Sequence, residues 1–350
     1  RVWCGWLCPL GTVLEWTQLR RPRADRADLP GDWRQVKHFL LFTILFAALL
    51  GSLTLLVLDP LTLLFRTVAV AALPALNALV TAAETALYRF DPLQGLLELF
   101  DRAVRGWLLP VAQPFFGQNV LLALAIAAVL ALNAIRPRFW CRYLCPLGAL
   151  LGLFSKVAWL RHTVDEAACT ACQRCARLCP TGTIDPQRNF AADPAECTLC
   201  LDCLTGCPTK AIAFRGRWGL AAWRGYDPSR RQVLASLGVA MAGAGLLRAA
   251  PAVRREHPHL IRPPGAREND LLSKCIRCGQ CLQVCPTADL QPSLLESGLE
   301  GLWSPLLVPR LGYCDYSCHA CGQVCPSGAI PELTLEEKRE RVIGVAYIDH

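Results

Sequence analysis

Sixteen of the chain's twenty cysteines fall into four closely similar runs, and thiolates so spaced hold metal. The first two read C-T-A-C-Q-R-C-A-R-L-C-P and C-T-L-C-L-D-C-L-T-G-C-P, over 169–180 and 197–208. Cys275, Cys278, Cys281 and Cys285-Pro286 make the third. Cys314, Cys318, Cys321 and Cys325-Pro326 make the fourth, which has three residues where the others have two. The spacing C-x2-C-x2-C-x3-C-P suits a [4Fe–4S] cube; structural zinc, which also takes four thiolates, is the alternative. It does not suit a disulfide framework. Thiolates loaded with metal need reducing conditions, so assembly is expected in the cytoplasm.

The other four cysteines lie in an internal repeat. Trp3-Cys4-Gly5-Trp6-Leu7-Cys8-Pro9-Leu10-Gly11 recurs as Trp140-Cys141-Arg142-Tyr143-Leu144-Cys145-Pro146-Leu147-Gly148, both W-C-x-x-L-C-P-L-G. Two cysteines four apart share one face of a helical turn, and the proline keeps that turn out of a helix interior. If the two segments meet, Cys4, Cys8, Cys141 and Cys145 form a fifth centre. A metal centre, a redox-active thiol pair, a copper site and a purely structural role are all open for it.

The elements that must position these cysteines include membrane segments. Apolar residues make up 53% of the 350 and charged residues 18%, too greasy for a soluble carrier throughout. The net charge of +8 comes without basic runs interleaved with aromatics, which excludes nucleic acid as an expected partner. An arginine-rich stretch (Arg20, Arg21, Arg23, Arg26, Arg34, then Lys37) precedes 39–58, which holds no charge and ends at Asp59-Pro60. A second charge-free run, about 118–135, ends at Arg136-Pro137-Arg138. Each is long enough to cross the roughly 30 Å hydrocarbon layer. Between them 61–83 carries Arg66 and Pro74 and is expected to be interfacial or re-entrant. By the positive-inside rule the loop 59–117 lies outside, and both W-C-x-x-L-C-P-L-G copies lie at cytoplasmic ends.

The expected domains follow. Residues 1–34 form a cytoplasmic C-x3-C-P segment, and 35–160 a membrane domain. Residues 161–220 form a first cluster module, closed by a strand over 211–214. In 226–265, Arg230-Arg231, a short Gly/Ala-rich apolar run and 251–252 have the form of a twin-arginine export signal, followed by a Pro-rich linker. Residues 266–350 form a second module, expected on the periplasmic side, with a charged helix over 332–341 and a strand over 345–349. The single methionine is Met241, so the chain is expected to be a fragment.

The four runs resemble those of bacterial two-cluster ferredoxins, in which the fourth cysteine of each run crosses to the other cluster. The resemblance implies four sets: Cys169, Cys172, Cys175 with Cys207; Cys197, Cys200, Cys203 with Cys179; Cys275, Cys278, Cys281 with Cys325; and Cys314, Cys318, Cys321 with Cys285. The fold class expected is α+β, a transmembrane helical hairpin with two ferredoxin-like modules. More specifically, 1–214 resembles the membrane polyferredoxin (NapH-like) of the periplasmic nitrate reductase system, with relatives in methylamine utilisation and nitrous oxide respiration. Residues 229–350 resemble the exported NapG/MauM-like ferredoxin, through Arg230-Arg231, Arg262-Pro263-Pro264-Gly265-Ala266, Cys275-Ile276-Arg277-Cys278-Gly279-Gln280-Cys281 and Cys325-Pro326-Ser327-Gly328-Ala329.

That resemblance implies an inner-membrane component of a quinol dehydrogenase, passing electrons from quinol through [4Fe–4S] clusters to a periplasmic cytochrome or reductase. The alternative is a membrane reductase acting in copper or cofactor maturation. His38 is a lone candidate haem ligand, more simply an interfacial residue. His319 is expected to tune a cluster. Arg66 and Glu84 are candidates to meet a quinol head group, more simply interfacial charges. No C-x-x-C-H, G-x-G-x-x-G or Walker motif occurs, so c-type haem and nucleotide are not expected.

Overall fold

The structure, a computed structural model, describes residues 1–17, 33–90, 94–105, 109, 115–155, 159–216, 230–249, 260–294 and 296–344. The arginine-rich stretch 18–32, the small residues 251–252, the first part of the Pro-rich linker (257–259) and the strand expected over 345–349 lie outside the described residues. Helices and short antiparallel strands divide between two compact units.

Unit 1 gathers Arg1–Leu49, Leu58–Leu61 and Ala127–Ala242. Each half of the sequence repeat folds the same way. Trp3–Leu7 and Trp140–Leu144 are π turns, closed by Cys8 N–H to the Trp3 carbonyl (2.8 Å) and Cys145 N–H to the Trp140 carbonyl (2.9 Å). Helices Pro9–Trp16 and Pro146–Ser155 follow directly. The proline dictates this junction: it suits the first helical position, and it drives the preceding residue extended. Cys8 has φ −72°, ψ 112° and Cys145 φ −71°, ψ 110°. The second cysteine of each pair is therefore a cap between two helices, one position beyond a turn wider than the ordinary helical one expected.

The span expected over 39–58 is a 17-residue helix, Trp33–Leu49. It starts earlier because Trp33 to His38 join it. It stops in a turn where Gly51 takes φ +79°, and Thr54–Leu58 is a separate 3-10 turn. Lys37 is fully buried and meets Glu196 at 2.5 Å, while Arg1 meets the same carboxylate at 3.3 Å. Burial alone would raise the Glu196 carboxyl, but Arg1 and Lys37 hold it below its ordinary value. The pair pins the apolar helix to the residue before Cys197. The run expected over 118–135 is helix Asn119–Ile135, whose last turn is fastened by Asn133 to the Leu14 carbonyl and by Arg138 to Glu15 just beyond (2.5 Å). In the first cysteine module, strand Leu160–Val164 pairs antiparallel with Ile212–Gly216, which is the closing strand expected over 211–214. Cys175, Ile184, Phe190, Cys203 and Ile212 form its core. Arg230–Ala249 is a 20-residue helix.

Unit 2 gathers Leu50–Val57, Thr62–Ile126 and Gly243–His350. The segment expected to be interfacial is a continuous helical run, Pro60–Leu87, with a π turn at Val68–Ala72 in its middle. Among the described residues it is the one helix long and apolar enough to cross a membrane, by length and composition; Asn119–Ile135 is shorter. Its Ala69 and Val70 are buried with Phe116, Leu122, Leu282, Leu290 and Leu307, so one face is part of the core of the second module. Arg66 and Glu84 are correspondingly not exposed charges: Arg66 is fully buried, and Glu84 is buried against Arg105. Strand Leu290–Pro292 pairs with Pro305–Leu307, and the charged helix is Leu335–Glu340, started by a capping box of Thr334 and Glu337.

Breaking the buried pair by Lys37→Ala leaves Glu196 short of a partner. It should destabilise unit 1 by about 3 kcal/mol, read as a lower denaturant midpoint. The Lys37→Met/Glu196→Gln double variant should lose less than the sum of the single changes.

Candidate iron–sulfur sites

Three of the four cysteine sets each line a single cavity. Cys169, Cys172, Cys175 and Cys207 surround one, with Phe190 and Ile212 on its wall. Cys179, Cys197, Cys200 and Cys203 surround another, beside His162 and Phe214. Cys275, Cys278, Cys281 and Cys325 surround a third, walled by Trp303 and Ile330. In each, three cysteines come from one run and the fourth from its partner run. For the fourth set the packing is less selective: Cys285, Cys314 and Cys321 pack on one core together with Cys281 of the third set. Burial pushes Cys321 up to about 11, and Cys314 and Cys318 add to the rise.

The runs curl by a shared backbone device. The second and fourth residues after the first cysteine take positive φ in all three regular runs: Ala171 and Gln173, Leu199 and Leu201, Arg277 and Gly279. Such values are uncommon for residues other than glycine and persist only where surroundings enforce them. Alternating hands of backbone turn N–H groups into a concavity, as in many anion and Fe–S sites. Burial raises the Cys197 and Cys275 thiols, and the N–H groups of Leu199 and Arg277 oppose that rise. The fourth run, with its extra residue, has no positive φ over 314–321.

A second device follows every fourth cysteine. Gly182, Lys210, Ala288 and Gly328, each three residues after the cysteine of a Cys-Pro, have positive φ, and their N–H groups close a turn onto the cysteine carbonyl at 3.2–3.3 Å. The residue between is Thr181, Thr209, Thr287 or Ser327, and its hydroxyl lies 3.5, 3.7, 3.6 or 3.8 Å from the cysteine sulfur. These hydroxyls were legible as C-P-[T/S] in all four runs, yet the cysteine spacing alone does not call for them. At Cys207 slight burial is outweighed by the Thr209 hydroxyl and by the N–H groups of Ala211, Thr209 and Ile212, which hold the thiol below its usual value.

The two C-x3-C-P segments also meet. Burial pushes Cys141 up to about 12; Arg138 opposes this, and Cys8 and Cys4 add to it. Burial likewise raises Cys145, with Cys141, Cys4 and Cys8 among the further causes. The Gly148 N–H donates to the Cys145 sulfur (3.2 Å). Both segments seat on the set that contains Cys179 and Cys197. Trp6 Nε1 donates to the Leu199 carbonyl at 2.9 Å, and the Thr198 carbonyl fills the space a side chain on Gly5 would need. In the other copy Arg142 lies against Gly182. The two positions at which the repeats differ are thus Gly5 and Trp6 against Arg142 and Tyr143, and three of these four touch that one set.

Two of the histidines meet backbone carbonyls. His38 is buried, with Nδ1 at 3.3 Å from the Arg34 carbonyl. His319 Nδ1 lies 2.8 Å from the Leu333 carbonyl and bridges to Gln323.

Among the described residues no group of three or more His, Cys, Asp or Glu is disposed around a single metal ion. The sulfurs stand around a cavity instead of meeting at one point, and inward N–H and O–H donors suit sulfur-rich anionic walls. All-thiolate donors, cavity and donors together fit a [4Fe–4S] cube better than zinc.

Comparison with known proteins agrees. A 4Fe-4S dicluster domain family matches residues 189–286, and 4Fe-4S binding domain families match 1–26 with 117–164, and 162–185. The second of these covers both C-x3-C-P segments. The dicluster match runs from one unit into the other, whereas the cavities pair the runs within each unit. The "Ferredoxin-type protein NapG" of Escherichia coli (strain K12) is 42% identical over 121 residues, 33% of this chain and 47% of NapG. The "Methylamine utilization ferredoxin-type protein MauM" of Methylorubrum extorquens is 37% identical over 132 residues, 35% of this chain and 58% of MauM. The "Regulatory protein NosR" of Pseudomonas aeruginosa is 31% identical over 196 residues, 55% of this chain and 22% of NosR. The chain spans about half the length of the first two relatives. No solved structure matches it.

Thr209→Val should raise the Cys207 thiol and slow its alkylation in metal-free protein at neutral pH, read by peptide mass spectrometry. In the unmutated metal-free protein Cys207 should react ahead of Cys141. The geometry and the comparisons agree on one conclusion: this is an iron–sulfur protein carrying 4Fe-4S binding domains of ferredoxin type.

Proposed function

We propose that the chain is a membrane electron relay, taking electrons from quinol and delivering them to a periplasmic acceptor such as a multihaem cytochrome. The observation that carries this reading is how the fold sorts the sequence. Unit 1 collects the C-x3-C-P segments and the first cysteine module, which the arginine distribution assigns to the cytoplasmic side. Unit 2 collects most of the loop 59–117 and the second module, which the same rule and Arg230-Arg231 assign to the outside. Each unit holds its own pair of cysteine sets. The helices Trp33–Leu49 and Asn119–Ile135 are the proposed spans, at 17 residues near the lower limit for crossing. The run Pro60–Leu87 keeps its interfacial assignment in this proposal, since its Ala69–Val70 face is occupied by the second module while Phe65, Leu76 and Leu79 are exposed.

When bound, [4Fe–4S] clusters supply one-electron transfer at potentials set by hydrogen bonds to sulfur, nearby charge and exposure. The residues proposed to hold them are the four sets named above, with Cys4, Cys8, Cys141 and Cys145 as a fifth centre. The chain's own part is to orient and insulate. Thr181, Thr209, Thr287 and Ser327 present hydroxyls to the fourth sulfur of each set, and Trp6 and Arg142 seat the C-x3-C-P pairs on the Cys179/Cys197 set. That seating makes this set the natural neighbour of a fifth centre in the relay order. The NapG and MauM similarity supports ferredoxin-type chemistry, and the whole-protein activity of a quinol dehydrogenase component remains this proposal's own.

Adding a reduced menaquinone analogue to the anaerobic, oxidised protein should bleach its visible iron–sulfur absorption. No bleaching with any quinol, in protein that dithionite does bleach, would overturn the quinol step. Iron and sulfide analysis should give about twenty irons per chain if the fifth centre is a cube, and about sixteen if its thiols carry none.

A further inference from the structure

Arg66 sits near the start of the helical run Pro60–Leu87, before its π turn, with no exposed surface. None of its three guanidinium nitrogens has a hydrogen-bond partner among the described residues. Its guanidinium carbon lies 3.6 Å from the centroid of Trp303, whose ring forms part of the wall of the cavity lined by Cys275, Cys278, Cys281 and Cys325. Its Cα and Cγ are 3.8 Å from where a Cβ on Gly279 would stand, in the loop between Cys278 and Cys281. Among the described residues the one charged neighbour that bears on it is Arg277, of like sign, which is itself buried and spends its donors on the carbonyls of Leu302, Leu53, Cys275 and Glu300.

A buried cation without a partner is strongly disfavoured, and a like-charged neighbour adds to that. Contact with the Trp303 face recovers only part of that penalty. The remaining compensation is a negative charge nearby, and no carboxylate among the described residues supplies it. A cube held by four thiolates is anionic, and it gains one further negative charge when one electron enters without a proton.

We propose that Arg66 is the counter-charge of the cluster at Cys275, Cys278, Cys281 and Cys325, holding its reduction potential up through the Trp303 wall. This rests on the ligand assignment proposed above. Arg66 is a positioning residue: it touches no ligand sulfur and acts by field. A quinol head group is not its partner, because the side chain is sealed from the surface.

The test is a redox titration of the full chain, dithionite as reductant, followed by electron paramagnetic resonance with iron and sulfide counted in parallel. Arg66→Met keeps the bulk and removes the charge. One component should shift downward by at least tenfold in its reduced-to-oxidised ratio at fixed poise, about 59 mV for one electron, with the others unmoved and the iron count unchanged. Arg66→Lys should hold most of the original potential. An unshifted titration at full iron content overturns the proposal. If Arg66→Met loses iron, Arg66→Lys decides: retained iron and potential support the charge, and equal loss overturns it. Cys278→Ser should abolish the same component that Arg66→Met shifts. If it removes none, the ligand assignment has failed and not the role of Arg66.

Discussion

Four thiolates cannot be gathered in a protein interior unless something answers their mutual repulsion and lost hydration, and the rest of this fold is arranged around that constraint. Burial first, and then neighbouring cysteines and, at Cys200, Asp202, push these thiols up: Cys203 reaches about 12 and Cys200 about 11. The chain opposes this with backbone and short hydroxyl side chains, not with many charged groups. Leu199 and Arg277 turn their N–H groups inward, at the expense of positive φ, and Thr209 brings a hydroxyl to Cys207. Strain is tolerated at these points because the site requires it.

The same constraint explains why the modules are so economical in secondary structure. The strands Ile184–Asp185 and Ala191–Ala192 are two residues each, and the helix after Cys200 is four. Pieces this short have little stability of their own. Cysteine side chains take part in the hydrophobic clusters of both modules, so ligand and core are the same residues. A filled site therefore adds to a core that Ile184, Phe190 and Ile212 already begin.

The cysteine runs were legible because spacing is a local rule, the exchange of fourth ligands followed from the ferredoxin resemblance, and three of the sets so implied each line one cavity. The closing strand 211–214 was legible from its alternation. The membrane elements were less so. Charge-free length marked 39–58, but Gly51 ends the helix at Leu49, a stop hidden because glycine inside an apolar run reads as tolerable. Arg66 was visible as a charge in such a run, and composition made it interfacial. Only tertiary packing against Trp303, 237 positions away in sequence, buries it. The Gly5/Arg142 difference between the repeats also had no meaning until Thr198 and Gly182 were beside them.

The central claim is that each unit pairs its cysteine runs by exchanging the fourth ligand. The direct measurement is the electron paramagnetic resonance of the reduced full chain with single Cys→Ser changes. Cys207→Ser should alter the same cluster signal as Cys172→Ser and leave the signal altered by Cys200→Ser intact. If Cys207→Ser instead acts on the signal that Cys200→Ser alters, each run holds its own four ligands and the account of the sites is wrong.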